Sequence, residues 1–447
     1  MSSLLYTYGV AAGLRSGDFT TAERFLDNAA SLPQGRVFRG HFHFMSSLND
    51  LYRNEPSSAL ATARQAVALT DEAGAPFWRA FHRLGLAHAL FACGQRREAM
   101  RHSAAARRLA RSMRLPNIEF DCISSAAYFL LERGKDRVAV PLLRRTLKLA
   151  RELGYVSRPF WMPQIAARLF VSAIEHGIEV DYVRTLIRRG KLSPPPEALH
   201  LEQWPFSVKI YTLGRFSVLI DGKPLEFSGK AQRKSLELLM ALVAFGAREV
   251  SERQLTEALW TESEGDAAHQ ACASALHRLR KLLGSYESIS LQKNHFSLDP
   301  RHVWVDAWAF ERGLASRQGT SGAGRRDASD GAIALYRGPF LGKQVDLTWT
   351  APLRERLRTK FLRHVAEEGR TLFAAREFDA AIALFEKGLN ADPIAEELYH
   401  ELMLCYQALG RRAEAIGVYQ RCERTLAAAL GVSPASKTVA LYQALQS

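Results

Sequence analysis

The stretch HQACASALHRLRKLLGSYESISLQKNHFSLD, from His269 to Asp299, decides how the middle of this 447-residue chain folds. It predicts a basic helix over about 267–283, followed by two strands of alternating polarity around the turn QKNH. At helical spacing, one face of this helix is apolar and is expected to pack into a core: it carries Cys272, Leu276, Leu279 and Leu283.

The opposite face of the helix is polar, with Gln270, Ser274, His277 and Lys281 at its centre and Arg278 and Arg280 on its flanks. Glutamine can pair with adenine, and arginine or lysine can bind guanine or phosphate in the DNA major groove. An ordinary solvated face is the alternative, because lysine and arginine are usually exposed. The neighbouring elements must decide between these interpretations.

The segments before this helix predict two further helices behind a small sheet. SVKIYTL, RFSVLID and KPLEF alternate apolar and polar residues, and Asp221-Gly222 between two of them is a hairpin signal. The next helix carries Leu236, Leu239, Met240 and Val243 at core spacing, and Ser251 with Gln254 forms a capping box for another. A winged helix-turn-helix domain has this order of a sheet, three helices and a terminal hairpin. The order therefore favours the interpretation that the polar face of the helix reads DNA.

Other basic residues lie where such a domain meets phosphate groups. Lys230, Arg233 and Lys234 crowd the first turn of the first helix, where cations oppose the helix dipole. Lys293, Asn294 and His295 form the tip of the hairpin. Contacts of this kind position a protein on DNA without reading its sequence.

Helical repeats are predicted on both sides of this domain. In the first 190 residues, a turn-forming residue stands five positions before an alanine at intervals of 37 to 40 residues; the pairs are Gly17/Ala22, Asn54/Ala59, Gly94/Ala99 and Gly134/Ala139. Near the C-terminus the repeat is 34 residues, the tetratricopeptide period: Gly369, Leu372, Ala381, Phe385 and Gly388 align with Met403, Tyr406, Ala415, Tyr419 and Cys422. SPPPEALHLEQWP (193–205) is expected to be a linker, and 317–331 a mobile loop.

Composition excludes several classes of protein. Residues 1–192 carry 28 basic and 16 acidic residues, so most of the net charge of +14 lies outside the winged helix and is weak evidence for DNA binding. No apolar run could span a membrane, and five scattered cysteines suggest reduced thiols in a cytoplasmic protein. There is no metalloprotease, nucleophile-elbow or phosphate-binding motif, so we expect no enzyme, metal or cofactor.

The motifs also resemble known families. VKIYTLGRFSVLIDGKPLEFSGKAQRKSLELLMALVA, LTEALW and ASALHRLRKLLG resemble the response-regulator-type winged-helix effector domain of bacterial antibiotic-pathway regulators. ALYRGPFL, the 34-residue repeats and LAAALGVSPASKTVALYQAL resemble the bacterial transcriptional activator domain of the same regulators. The N-terminal repeats resemble, more loosely, the helical sensor array of maltose-regulator-like activators.

The resemblance implies a regulator, in practice an activator, that binds double-stranded promoter DNA, with RNA polymerase contacts and homodimerisation through the activator domain. It makes Gln270, Ser274, His277, Arg278 and Lys281 base-reading candidates, and Lys230, Arg233, Lys234, Arg280, Lys293 and Asn294 phosphate candidates. A receiver domain and a nucleotide-binding switch are not evident, so the chain is a shortened regulator or lacks an upstream portion.

We therefore expect a mainly α protein with tetratricopeptide-like repeats flanking a central winged helix-turn-helix. Its expected domains are a repeat domain (1–192), the linker (193–205), the winged helix (206–310) and the activator domain (311–447). The alternative is a tetratricopeptide scaffold that binds acidic peptides or an anionic ligand, with an inactive winged helix. The arginines at 96, 97, 101, 107, 108 and 111 are the candidates for an anionic or protein partner of the N-terminal repeats.

Overall fold

The computed structural model describes residues 2–32, 35–226, 230–262, 265–316, 331–342 and 347–446. It divides into two compact units, Met1–Pro205 and Phe206–Ser447. No helix in the described ranges is long and apolar enough to cross a membrane. The predicted loop over 317–331 lies outside the described residues as far as 330.

The first unit is a series of helical hairpins. Its helices are α1 (Ser2–Ser16), α2 (Phe19–Ala30), α3 (Arg36–Tyr52), α4 (Pro56–Glu72), α5 (Pro76–Ala92), α6 (Arg96–Ser112), α7 (Pro116–Leu131), α8 (Asp136–Glu152), α9 (Pro163–Glu175) and α10 (Val180–Gly190). Each odd-numbered helix packs on the next to form a hairpin, and the odd-numbered helices also contact one another in order. This arrangement confirms the prediction of helical repeats.

The repeat follows from two local requirements that the sequence meets in the first four hairpins, α1–α2 to α7–α8. The turn residues Gly17, Asn54, Gly94 and Gly134 have φ of 76°, 62°, 76° and 63°, a left-handed conformation that ends a helix and favours glycine or asparagine. The alanine five residues later is completely buried in each case; these are Ala22, Ala59, Ala99 and Ala139. A small side chain there lets neighbouring helices approach closely.

The proline-rich segment is packed rather than extended. Its prolines prevent an α-helix, as expected, but Pro196–His200 forms a 3₁₀-helix. Ala198 is fully buried, and Trp204 is only 1% exposed. The segment lies within the first unit and buries an aromatic side chain, so it is more ordered than a flexible linker.

The second unit begins with the winged-helix elements. They are β1 (Val208–Tyr211), β2 (Ser217–Ile220), β3 (Lys223–Pro224), α11 (Lys230–Ala244), β4 (Val250–Ser251), α12 (Glu252–Leu259), α13 (Gly265–Leu282), β5 (Ile289–Gln292), β6 (His295–Leu298) and β7 (Val303–Val305). One sheet has the order β3-β2-β1-β7, with β7 parallel to β1, and the other has the order β4-β6-β5. The Ser251 side chain accepts a hydrogen bond from the Gln254 amide at 3.2 Å, so the N-cap predicted for α12 is confirmed.

The rest of the second unit is helical. It holds α14 (Asp306–Ser316), α15 (331–335), α16 (Ala351–Ala374), α17 (Phe378–Ala391), α18 (Glu396–Ala408), α19 (Arg412–Leu430) and α20 (Ser436–Gln446). At the predicted repeat positions, Gly369 is buried against the Phe385 ring, while Met403 and Ala415 are fully buried. The mainly α fold with helical repeats is thus confirmed.

A buried carboxylate joins the first sheet to the helical part of this unit. Asp306, at the start of α14, is 2% exposed and accepts hydrogen bonds from the amides of Thr212, Leu213 and Ala307 and from the Thr212 hydroxyl, at 2.7–2.9 Å. Burial raises the pKa of Asp306 to about 6, and the donated hydrogen bonds oppose that rise. One side chain thus holds the end of β1 against α14.

The same segment of chain docks on the residues that follow α15. The Leu341 amide donates to the Thr212 carbonyl at 2.6 Å, and the Gly214 amide donates to the Pro339 carbonyl at 3.0 Å. Gly214 has φ of 89°, and a Cβ atom there would lie 2.9 Å from the Arg337 carbonyl carbon. Only glycine allows this approach of two backbones.

Replacement of Gly214 by alanine should reduce the free energy of unfolding by about 3 kcal/mol, because it combines backbone strain with a steric clash. Gly222→Ala is the matched control: Gly222 has φ of 82° but nothing within 4 Å of the added Cβ. The control should cost only about 1 kcal/mol, the strain alone. Urea denaturation of the full chain measures both, and equal costs would contradict the close approach.

Candidate DNA-binding surface

Helix α13 is fixed by its apolar face. The predicted core residues Cys272, Leu276, Leu279 and Leu283 are between 0% and 4% exposed. They pack with residues of α11, among them Leu239 and Leu242, in one hydrophobic core. This burial sets the rotation of α13, so the side chains half a turn away must face outward.

The five base-reading candidates form that outward face. Gln270, Ser274, His277, Arg278 and Lys281 are all exposed. No hydrogen-bond or ion-pair partner for these five side chains occurs among the residues that the structure describes. The face therefore presents an amide, a hydroxyl, an imidazole and two cations, none of which is paired with a described residue.

Arg280 lies on the flank of α13 and faces inward. One of its terminal nitrogens donates to the Ile289 carbonyl at 2.8 Å, and its guanidinium lies 6.0 Å from the centre of the Tyr286 ring. This side chain ties α13 to the first strand of the hairpin. Binding of phosphate by Arg280 stays a prediction. In the structure, the Arg280 side chain holds the hairpin.

The hairpin tip is a two-residue turn between Gln292 and His295, which face each other across the strands. Lys293 and Asn294 have φ of 46° and 61°, the pair of left-handed residues that a type I′ turn requires. The Asn294 carbonyl accepts a hydrogen bond from the Glu252 amide at 2.8 Å, which fixes the tip to the start of α12. The side chains of the three residues predicted at the tip, Lys293, Asn294 and His295, are exposed.

The basic turn of α11 is less uniform than its sequence suggests. Arg233 is exposed, whereas the Lys234 ammonium lies 3.0 Å from a Glu237 carboxylate oxygen and 5.3 Å from the centre of the Trp260 ring. The side chain of Lys230 lies outside the described part of the structure. Of Arg233 and Lys234, Arg233 is therefore the better candidate for a phosphate contact.

Three further residues lie on α13 or beside the hairpin, and helical periodicity does not select them as candidates. His269 lies at the N-terminal end of α13 with its Nδ1 atom 2.6 Å from a Glu252 carboxylate oxygen. Tyr286 and Leu291 beside the hairpin are large apolar side chains that remain 61% and 41% exposed. Leu291 could not have been found from the sequence, because alternation along β5 places it on the same face as Ile289, which is buried.

The arginine-rich helix α6 shows no comparable arrangement. Arg96, Arg97 and Arg101 are exposed, and Arg107 and Arg111 each lie 3.8 Å from the Glu119 carboxylate. No group of three or more metal-binding side chains occurs in the ranges that the structure covers. A partner for these arginines stays a prediction.

Comparison with known proteins gives a family match for the C-terminal part. Residues 305–446 match the bacterial transcriptional activator domain. The transcriptional regulatory protein EmbR of Mycobacterium tuberculosis is 29% identical over 251 residues, which are 52% of this chain and 61% of the relative. The regulatory protein AfsR of Streptomyces griseus is 28% identical, covering 50% of this chain and 23% of the relative, and MoaR1 of M. tuberculosis is 26% identical, covering 53% and 78%.

The suspected resemblance to this group of regulators is confirmed by these matches. The chain spans about three fifths of the length of EmbR. A solved structure of M. tuberculosis EmbR in complex with a low-affinity phosphopeptide is similar at 27% identity and a TM-score of 0.42, covering 54% of this chain and 65% of that one.

Two neighbouring arginines of α13 should behave differently on truncation. Arg280→Ala should lower the free energy of unfolding by about 2 kcal/mol, since a charged donor to a backbone carbonyl is lost. Arg278→Ala should leave it within about 0.5 kcal/mol of the unchanged protein, because its side chain is exposed. Thermal melts of both variants test this, and equal destabilisation would refute the inward role of Arg280.

Proposed function

We propose that this chain, which contains a bacterial transcriptional activator domain, is a DNA-binding transcriptional regulator that activates its promoters. Helix α13 enters the major groove, and Gln270, Ser274, His277, Arg278 and Lys281 read base edges. Arg233, Lys293 and Asn294 contact phosphate groups on either side, with Lys230 and Lys234 as further candidates. Such a regulator works in the bacterial cytoplasm.

The observation that carries this proposal is the unused polar face of α13. Its five side chains are exposed and have no partner in the described structure, while the opposite face is locked into the core of a helix-turn-helix. A helix fixed in this way can hold several donors and acceptors in register with base pairs. The hairpin tip and the start of α12 are linked by the Asn294–Glu252 hydrogen bond, so the second contact region is held in place as well.

The family match supports a regulator over the alternative of a peptide-binding scaffold with an inactive winged helix. Under this proposal the activator domain, residues 305–446, contacts RNA polymerase and assists homodimerisation on repeated DNA sites. Asp306 and the backbone contacts of Thr212 and Gly214 would transmit the position of the DNA-bound part to that domain without a flexible joint.

A sequence-selection binding assay with the full chain at near-physiological salt tests the function. We expect enrichment of a short motif that is repeated at a fixed spacing, as a dimer would require. Recovery of random sequences only, with a salt dependence no steeper than that of an unrelated basic protein, would overturn the proposal. The enriched motif then becomes the probe for the variants below.

Arg278→Ala should relax the preference for one base pair of that motif and weaken binding by about 1–3 kcal/mol, because a bidentate contact to a base edge is lost. Affinity for unrelated DNA should change much less. The matched control is Arg412→Ala, which removes an equally exposed arginine from the start of α19. Competition binding against single-base variants of the motif measures the effect, and an unchanged base preference would remove Arg278 from the reading face.

Lys293→Ala should weaken binding to all DNA sequences about equally and reduce the slope of log affinity against log salt by about 1, the loss of one phosphate contact. Lys293→Arg keeps the charge at the hairpin tip and should retain the slope. Titrations at several salt concentrations measure both variants. A change in base preference with an unaltered slope would show that Lys293 reads bases instead.

A further inference from the structure

The first unit contains an aromatic cavity that the DNA-binding function does not use. Its volume is about 270 Å³, and residues of α1, α3, α5 and the connection between α8 and α9 line it. The rings that surround it are those of Phe44, Tyr52, Phe77, Trp78 and Phe81. All of these elements belong to the first unit, so the cavity is complete within it.

The cavity exists because one connection is longer than the others. The segments 73–75 and 113–115 join successive hairpins, whereas the corresponding connection between α8 and α9 runs over 153–162. Phe160 on this long connection is 2% exposed, with its ring centre 5.5 Å from that of Phe81 and 6.2 Å from that of Phe44. Ser157, Arg158 and Pro159 then form one wall of the cavity.

A buried ion pair holds this wall in place. Arg158 donates to both carboxylate oxygens of Asp121 on α7, at 2.8 and 2.6 Å, and to the Asn117 carbonyl at 3.1 Å. Its guanidinium also stacks on the Tyr155 ring, 4.6 Å from the ring centre. Its Nε and Nη2 atoms make these hydrogen bonds and Asp121 balances its charge, so Arg158 forms a fixed wall of the cavity.

One polar atom in the cavity is left without a partner. His41 lines the cavity and is only 8% exposed, and its Nδ1 atom is 3.3 Å from Nε2 of His82. Its Nε2 atom has no hydrogen-bond partner among the residues described here. Because Nδ1 is held against His82, Nε2 is the ring nitrogen of His41 that remains to bond a ligand hydroxyl, amide or carbonyl.

The charge of the cavity limits what it can accept. Burial lowers the pKa of His41 to about 4, so the imidazole is neutral at physiological pH. The Trp78 ring centre lies 4.4 Å from that of His41, which leaves a surface of flat rings around this nitrogen. A charged group placed beside His41 would lose its hydration. Arg15 also lines the cavity but is exposed, so water screens its attraction for an anion.

We propose that this cavity binds a small, neutral aromatic molecule of one or two rings that carries a hydroxyl or carbonyl group. The rings of the ligand stack among Phe44, Phe77, Trp78 and Phe81, and its polar group bonds Nε2 of His41. A volume of about 270 Å³ lies at the lower end of known ligand pockets and suits a molecule of that size. This binding does not depend on the proposed DNA-binding function.

The experiment uses 2-naphthol as the probe and 2-methylnaphthalene as its matched analogue without a hydroxyl, titrated into the full chain and followed by fluorescence. We expect one 2-naphthol site per chain, with about tenfold higher affinity than for 2-methylnaphthalene, the contribution of one hydrogen bond. Affinity should be constant between pH 7 and 8, since His41 stays neutral there and Asp121, whose pKa burial raises to about 6, stays ionised. No saturable binding of 2-naphthol to the folded chain would overturn the proposal.

Two variants on α1 locate the site. Ala11 lines the cavity and Ala12, the next residue, is exposed. Ala11→Trp should fill the cavity and reduce 2-naphthol affinity at least tenfold, while Ala12→Trp should leave it unchanged. Equal affinities in the two variants would place the bound probe elsewhere and contradict the site.

His41→Asn tests the hydrogen bond independently of whether Ala11→Trp folds. Asparagine keeps a polar group near the position of Nδ1, next to His82, and removes Nε2. The ratio of 2-naphthol to 2-methylnaphthalene affinity should fall from about tenfold to near one, whatever the loss of ring contacts does to both. A ratio that stays at about tenfold would show that His41 does not recognise the hydroxyl.

Discussion

The position of the proposed DNA-reading face relative to the activator domain depends on one buried carboxylate. Asp306 accepts hydrogen bonds from two successive amides at the end of β1 and from its own helix α14, and it is 2% exposed. Such a group is costly to bury unless all of its acceptor positions are used, and here they are. The backbone of Gly214, packed against 337–338, extends the same contact. The second unit therefore contains a junction between sheet and helices in which the Asp306 side chain and two backbone hydrogen bonds act together.

The winged helix illustrates how little net charge says about DNA binding. Residues 193–447 carry a net charge of only +2, and the excess of basic residues lies in the repeats before them. Placement decides instead: Arg278 is exposed, whereas Arg280, two residues on, is turned inward to Ile289. Because α13 turns by about 100° per residue, these two arginines must point in different directions. The same geometry leaves the candidate base-reading side chains without internal partners, which is the physical basis of the proposed function.

The two helical arrays pack their helices in the same way, although their repeats differ in length. In the first four hairpins of the first unit a left-handed turn residue stands five positions before a buried alanine, and in the second unit Arg376 with Ala381 and Gly410 with Ala415 repeat this pairing. Small residues at these places set how closely helices approach, and large ones fill the space that remains. The exception is the connection over 153–162, which lies against the odd-numbered helices and turns the space between them into an aromatic cavity.

The sequence by itself determined the elements of this protein, because each is set by local rules. The helices and their turns follow from glycine, asparagine and alanine at fixed intervals, the cap of α12 from Ser251 and Gln254, and the hairpin from alternation around Lys293-Asn294. The exposed face of α13 was predictable for the same reason, since a helix that buries Cys272 and Leu279 has no other way to turn. Only the tertiary structure decided which partners individual polar side chains have. Examples are Asp306 in the junction, Arg280 on the hairpin and His41 in the cavity. These depend on which distant backbone or ring comes within about 3 Å of a side chain, a distance that no local pattern encodes.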